Sequence, residues 1–163
     1  MQTDPATGPL DGLVAALDIG GTKIAGALVD GEGRIRVRAQ RPTPAREDGE
    51  AVMAAVEAVL ADLADSPLWA SAGTVGIGSA GPVDASRGTV SPVNVPGWRA
   101  YPLVERVRRA TAGRPVTLVG DGVAMTAAEH WLGAGGLGHG AGILRCGWAG
   151  GCRPADHPPP DRA

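Results

Sequence analysis

The run Leu17-Asp18-Ile19-Gly20-Gly21-Thr22-Lys23 sets a carboxylate at the end of an apolar stretch, two glycines at a reversal, and a hydroxyl and an ammonium directly beyond. The flanking runs 13–17 and 24–29 have strand length and read as two strands. Joined across Gly20-Gly21 they make a hairpin, since glycine tolerates the positive φ of a tight connection. Backbone N–H groups of such a turn can converge on a phosphate, with Thr22 adding a hydrogen bond and Lys23 a charge. Asp18 beside it is suited to hydrated Mg²⁺, and the grouping points to nucleotide chemistry. A Walker A loop is excluded, because that motif spaces its glycines more widely and continues into a helix. An ordinary hairpin with a turn aspartate and an exposed lysine is the competing reading.

Three further places carry candidate chemistry. Asp121 follows an apolar strand and opens a helical pattern, where it can cap the helix, act as a general base, or do both. Asn94, framed by Pro92 and Pro96, is either a turn residue or an amide held to bond a sugar hydroxyl. Gly76-Ile77-Gly78-Ser79-Ala80-Gly81 matches the dinucleotide fingerprint letter for letter. The turn-like Pro82-Val83-Asp84 follows it instead of a helix, so a glycine-rich strand end open to a ligand is the better reading. Cys146, Cys152, His139 and His157 match no zinc-ligand spacing, and zinc is not expected.

Ile35, Val37 and Ala39 alternate with Arg34, Arg36, Arg38 and Gln40, which predicts a half-buried third strand. Val52, Val56, Val59, Leu60 and Leu63 predict a helix over 50–64, with acidic residues at its N-terminal end. Residues 74–78 form a short strand, 81–102 a loop, 103–110 a helix, 116–119 a strand and 122–132 a third helix. Arg106, Arg108 and Arg109 read as the solvated face of the second helix. The order β-β-β-α-β-α-β-α implies an α/β fold with a mixed five-stranded sheet. Asp18 and Asp121 are expected to end neighbouring strands and to look into one cleft.

Composition bounds the partners. Fifteen basic and 17 acidic residues, scattered over 163 positions, give a net charge of −2 and argue against a nucleic-acid surface. Two cysteines exclude a disulfide scaffold. No secretory signal or membrane-length apolar run is visible, so a cytoplasmic protein is expected, with no membrane partner. With no Phe, the core must be built from Val, Leu, Ile and Ala, with Trp69, Trp98 and Trp131 as large fillers.

Four pieces, in order, are Leu17-Asp18-Ile19-Gly20-Gly21-Thr22-Lys23, then Gly76-Ile77-Gly78-Ser79-Ala80-Gly81-Pro82-Val83-Asp84, then Asn94-Val95-Pro96-Gly97-Trp98, then Gly120-Asp121-Gly122-Val123-Ala124-Met125-Thr126-Ala127-Ala128-Glu129. Together they resemble the ROK family (repressors, open reading frames and sugar kinases), in particular its glucokinase-like members. The resemblance implies the actin-like, ribonuclease-H-like ATPase fold, with this chain supplying the first lobe over 13–136. It implies that Asp18, Gly20, Gly21, Thr22 and Lys23 bind ATP, with Asp18 holding Mg²⁺ through water. Ala80, Gly81, Pro82 and Asn94 would face a hexose or N-acetylhexosamine. Asp121 would also bind the sugar and draw the proton from its hydroxyl.

Gly120 stands where the family usually has Asn, removing one sugar-contacting amide. Residues 1–12 and the glycine- and proline-rich 137–163 are expected to be disordered. The family's second lobe has no counterpart after residue 142. The expectation is therefore a truncated sugar kinase, inactive alone, with an inter-lobe surface open to another chain. The alternative is a non-catalytic sugar-binding or interaction module. A repressor's helix-turn-helix is not expected, nor is nucleic-acid binding.

Overall fold

The structure, a computed structural model, describes residues 12–132, with side chains to 127. The chain divides into two compact units, residues 1–124 and 125–163. In the second, residues 125–132 are described, as the end of a helix. The first unit holds everything else below. The expected disordered segments lie outside the described residues, apart from Gly12, and so does the Trp131 side chain.

Strands β1 (Leu13–Ile19), β2 (Lys23–Val29) and β3 (Ile35–Pro42) form the expected antiparallel meander. Helix α1 (Gly49–Ala64) and a 3₁₀ turn (Pro67–Ser71) lead back to β4 (Ala72–Ser79), which lies parallel to β1. A small hairpin, β5 (Val83–Asp84) and β6 (Thr89–Val90), interrupts the region read as loop. Helix α2 (Leu103–Ala110) precedes β7 (Val116–Gly120), parallel to β4, and α3 (Asp121–Leu132) follows. The sheet order is β3-β2-β1-β4-β7, so the mixed five-stranded sheet stands as read.

Local chemistry explains the helix. Asp48 caps α1 by accepting from the Ala51 N–H at 2.8 Å. Its buried Val52, Met53, Val56, Val59, Leu60 and Leu63 recur every three or four residues and seal one face of the sheet. Gly26 lets the helix approach β2, since a Cβ there would lie 2.5 Å from Val59 Cγ1. The opposite face of β1 and β2 is only partly covered, and Val14 is 37% exposed.

Two expectations need correction. Ile35 is exposed and Arg36 is buried, the reverse of the alternation read for β3. Leu28 pairs with Val37 and Val29 with Ile35, so Arg36 is the extra residue of a β-bulge and its side chain swings inward. There it donates to Asp30 Oδ2 at 3.2 Å. Asp30 also accepts from the N–H groups of Arg34 and Glu32, and these bonds, led by that of Arg34, hold its carboxyl below the usual range. Nor is Arg106 a solvated ornament: it forks Glu50 of α1 at 2.9 and 2.8 Å and ties the two helices together. Arg108 and Arg109 do stay on the surface, paired with Glu105.

Trp98 is the largest fully buried side chain, and it fastens the loop before α2 to the start of α1. Its Nε1–H donates to the Gly49 carbonyl at 2.8 Å, and its ring stacks on Tyr101 at 4.6 Å. The backbones cross at two glycines, where a Cβ on Gly97 would lie 2.6 Å from the Gly49 nitrogen. Gly97→Ala should therefore cost about 1–3 kcal/mol in urea unfolding, because backbone cannot move aside as a side chain can. Gly76→Ala, with open space around its Cβ position, should stay within about 0.5 kcal/mol of wild type.

Candidate functional site

Pairing register places the site. Ile19, Ser79 and Gly120 lie abreast, so β1, β4 and β7 end at one edge. One step earlier, Asp18, Gly78 and Val119 are aligned. Alternation along β1 turns Leu13, Ala15, Leu17 and Ile19 into the core, and Asp18 to the other face. Asp121 begins just past β7. The two aspartates thus share an edge, but they do not end neighbouring strands. Strand β4 lies between them, which puts the axes of β1 and β7 about 10 Å apart. The reading failed because sequence order gives strand succession and not which strand a crossover inserts between two others.

Gly78 makes that intervening strand passable. It carries no side chain between Asp18 and Val119, and a Cβ there would touch the Ala124 Cβ at 3.5 Å. The first turn of α3 therefore rests over Gly78. Asp121 is the first residue of that helix, and its Oδ1 accepts from the Gly122 N–H at 2.7 Å.

The charges of the edge are coupled. Solvent reaches Asp18, yet crowding by protein atoms is the main cause that raises its carboxyl pKa. Lys23 pulls it down, and the negative charge of Asp121 pushes it further up. Asp121 and Asp18 thus feel one another across the glycine strand.

Beside Asp18, the hairpin turn closes with the Gly20 N–H donating to the Lys23 carbonyl at 3.0 Å. Neither Gly20 nor Gly21 takes a positive φ, contrary to the reason given for them above. Gly21 lies close against Asn94: a Cβ would lie 2.7 Å from Asn94 Cγ, so a larger residue would push the exposed Asn94 side chain aside. Thr43, just beyond β3, grips the turn twice. Its hydroxyl donates to the Gly20 carbonyl at 2.7 Å and its N–H to the Thr22 carbonyl at 2.9 Å. Among the described residues, the N–H groups of Gly21 and Thr22 have no protein acceptor.

The remaining sequence-read residues gather at the same edge. The Ala80 N–H donates to the Ile19 carbonyl at 3.3 Å, so the Ala80-Gly81-Pro82 loop leaves β4 beside the end of β1. Gly81 and Pro82 are exposed, and the Pro82 carbonyl accepts from the Ser91 N–H at 2.9 Å. Asn94, also exposed, lies against the hairpin. Sequence reading missed Thr43 and the Glu50–Tyr101–Arg106 network that holds the Asn94 loop. Tyr101 donates to Glu50 Oε1 at 2.9 Å, and burial is the main cause that lifts its phenol pKa to about 12. No sequence signal pointed to these, because each partner lies far away along the chain.

Donors free at Gly21 and Thr22, with an ammonium at Lys23, fit the oxygens of a polyphosphate. The carboxylates of Asp18 and Asp121, facing one edge across β4, fit a hydrated hard cation such as Mg²⁺. No cluster of three or more His, Cys, Asp or Glu suited to a metal occurs among the described residues, and Cys146, Cys152, His139 and His157 lie outside them. Of two surface grooves, one along α1 beside Thr43 and one by Trp69 and Arg114, neither is lined by Asp18 or Asp121.

Residues 14–140 match the ROK family. The N-acetylmannosamine kinase of Shigella flexneri is 38% identical over 118 residues, which cover 72% of this chain and 38% of that protein. The ROK family glucokinase from Streptomyces griseus, solved in complex with glucose and AMPPNP, matches with a TM-score of 0.67 at 38% identity, over 76% of this chain and 38% of that one. The inorganic polyphosphate/ATP-glucomannokinase from Arthrobacter sp. strain KM matches with a TM-score of 0.65 at 33% identity, over 77% of this chain and 50% of that one. The chain spans about 38% of the length of the curated relatives it matches.

The coupling at the edge is measurable. Because the folded pKa of Asp18 is raised, its stability contribution is full at low pH and is lost as pH rises through that pKa. Asp18→Asn should thus be more stable than wild type at neutral pH, with the difference vanishing in acid. Carbon-detected NMR titration of the Asp18 carboxyl should show its pKa falling in Asp121→Asn and rising in Lys23→Met. A titration unmoved by either change would place the three groups apart.

Proposed function

The chain belongs to the ROK family and has the actin-like ATPase fold of its sugar kinases, and from that premise we propose that it forms the phosphate- and acceptor-binding part of an ATP-dependent sugar kinase. One observation carries the proposal: Asp18 and Asp121 stand at a common strand edge on either side of β4, beside a turn whose Gly21 and Thr22 N–H groups have no acceptor among the described residues.

The roles follow from the chemistry each group can do. The N–H groups of Gly21 and Thr22, with Lys23, hold the ATP phosphates and balance their charge. Asn94 and the Ala80-Gly81-Pro82 loop orient a hexose or N-acetylhexosamine against that turn. Asp121 accepts the proton of the acceptor hydroxyl as its oxygen bonds to the γ-phosphorus and the bond to the ADP oxygen breaks. Such base assistance is worth about 10²–10⁴-fold. Mg²⁺, when bound, supplies neutralisation of phosphate charge, and Asp18 would hold it through water. The glucokinase and N-acetylmannosamine kinase relatives frame the choice of sugar, and glucose is the first substrate to test.

Among the described residues the apolar face at Val14, Ala16, Ala25 and Ala27 is only partly covered. This favours a second reading, in which the chain alone binds sugar without turnover and works only with a further segment or chain.

The decisive assay grafts residues 14–127 in place of the matching segment of the Streptomyces griseus glucokinase. Glucose-dependent ADP release is expected from the graft, falling by about 10²–10⁴-fold in Asp121→Asn. The 163-residue chain alone should release no ADP above background. Undiminished activity in Asp121→Asn would remove the proposed base.

A further inference from the structure

We infer that Thr43 is the positioning residue of the phosphate turn: its hydroxyl aims the Gly21 N–H at the nucleotide. The inference rests on the phosphate-binding reading proposed above.

In a trans peptide the carbonyl and the following N–H point in opposite directions within one plane. The Thr43 hydroxyl holds the Gly20 carbonyl at 2.7 Å, so the Gly21 N–H is turned the other way, out of the hairpin. The Thr43 N–H holds the Thr22 carbonyl at 2.9 Å, which fixes the next-but-one peptide plane. Glycines at 20 and 21 bring no side chain to restrict this turn, and the closing bond from Gly20 to Lys23 leaves the peptides between them free to rotate. Thr43 supplies the constraint that the glycines lack.

The carbonyls of Gly20, Thr22 and Lys23 all accept from protein donors, while the N–H groups of Gly21 and Thr22 do not donate to protein acceptors among the described residues. An anion approaching the turn therefore meets donors, with those carbonyl dipoles drawn to the far side. Were the Gly20 peptide to flip, a carbonyl oxygen would face the phosphate and repel it.

Thr43 is itself held firmly. Pro42 and Pro44 flank it and restrict the backbone. Its carbonyl accepts from the Ala45 N–H at 2.8 Å, so every polar group of the residue is engaged. The chain then passes through Glu47, bonded to the Pro44 carbonyl at 3.0 Å, to the Asp48 cap of α1. The turn is thereby braced against the longest helix of the first unit.

The test uses the full 163-residue chain, titrated with Mg²⁺-AMPPNP and followed by the backbone amide NMR signals of Gly21 and Thr22. Thr43→Val keeps the shape and the N–H and removes only the hydroxyl donor. It should weaken AMPPNP binding by about 3- to 10-fold, the worth of one neutral hydrogen bond. Thr43→Ser, which restores the hydroxyl, should recover the wild-type affinity, a rescue that shape alone would not give. Wild-type binding with unchanged affinity in Thr43→Val overturns this inference and leaves the phosphate reading standing. A wild-type chain whose turn amides do not respond to AMPPNP overturns both. Should Thr43→Val fail to fold, Thr43→Ala takes its place, and failure of both to fold would make Thr43 a fold determinant and end the inference.

Discussion

Parallel pairing of β4 between β1 and β7 is the constraint on which the rest depends. It brings three strand ends level at Ile19, Ser79 and Gly120. Parallel strands need long crossovers, and here α1 and α2 lie within them. Apolar side chains of α1 and the strands bury one sheet face, while the other face meets the strand ends with few bulky groups. Gly76 and Gly78 both stand on that open face of β4. Bare backbone at this point lets Ala124, in the first turn of α3, rest over Gly78 and lets two carboxylates sense one another across a strand.

A second layer of constraint reaches the site from α1. Its start is a junction: Asp48 caps it, Gly49 accepts from the Trp98 indole, and Glu50 gathers Tyr101 and Arg106. The Asn94 loop is anchored there by Trp98, and the phosphate turn is braced there through Thr43. Two loops that carry candidate binding groups therefore share one foundation. Gly21, which a Cβ would drive into Asn94, keeps them in contact. Rigid support of this kind is what positions a reacting pair without ordering it at each turnover.

Much of this was legible in local pattern. The meander, α1, α2 and the strand before Asp121 announce themselves by periodicity and by Pro and Gly punctuation, and the chain order of the motifs carried the family. What was hidden depends on partners distant in sequence. The bulge at Arg36 arises from the register of β3 on β2 and buries a residue that alternation had placed outside. The β5–β6 hairpin has two-residue strands, too short for any period to show. The position of β4 between Asp18 and Asp121 is a matter of topology. Gly21 was read as needing a positive φ, which it does not take; what distinguishes it is its closeness to Asn94, a partner 73 positions away along the chain.

The most direct measurement is a crystal structure of the chain with Mg²⁺-AMPPNP and glucose. The account predicts phosphate oxygens within hydrogen-bonding distance of the Gly21 and Thr22 nitrogens, and a sugar hydroxyl in contact with Asp121. Nucleotide bound elsewhere, with the turn of 20–23 empty and Asp121 facing solvent alone, would contradict it.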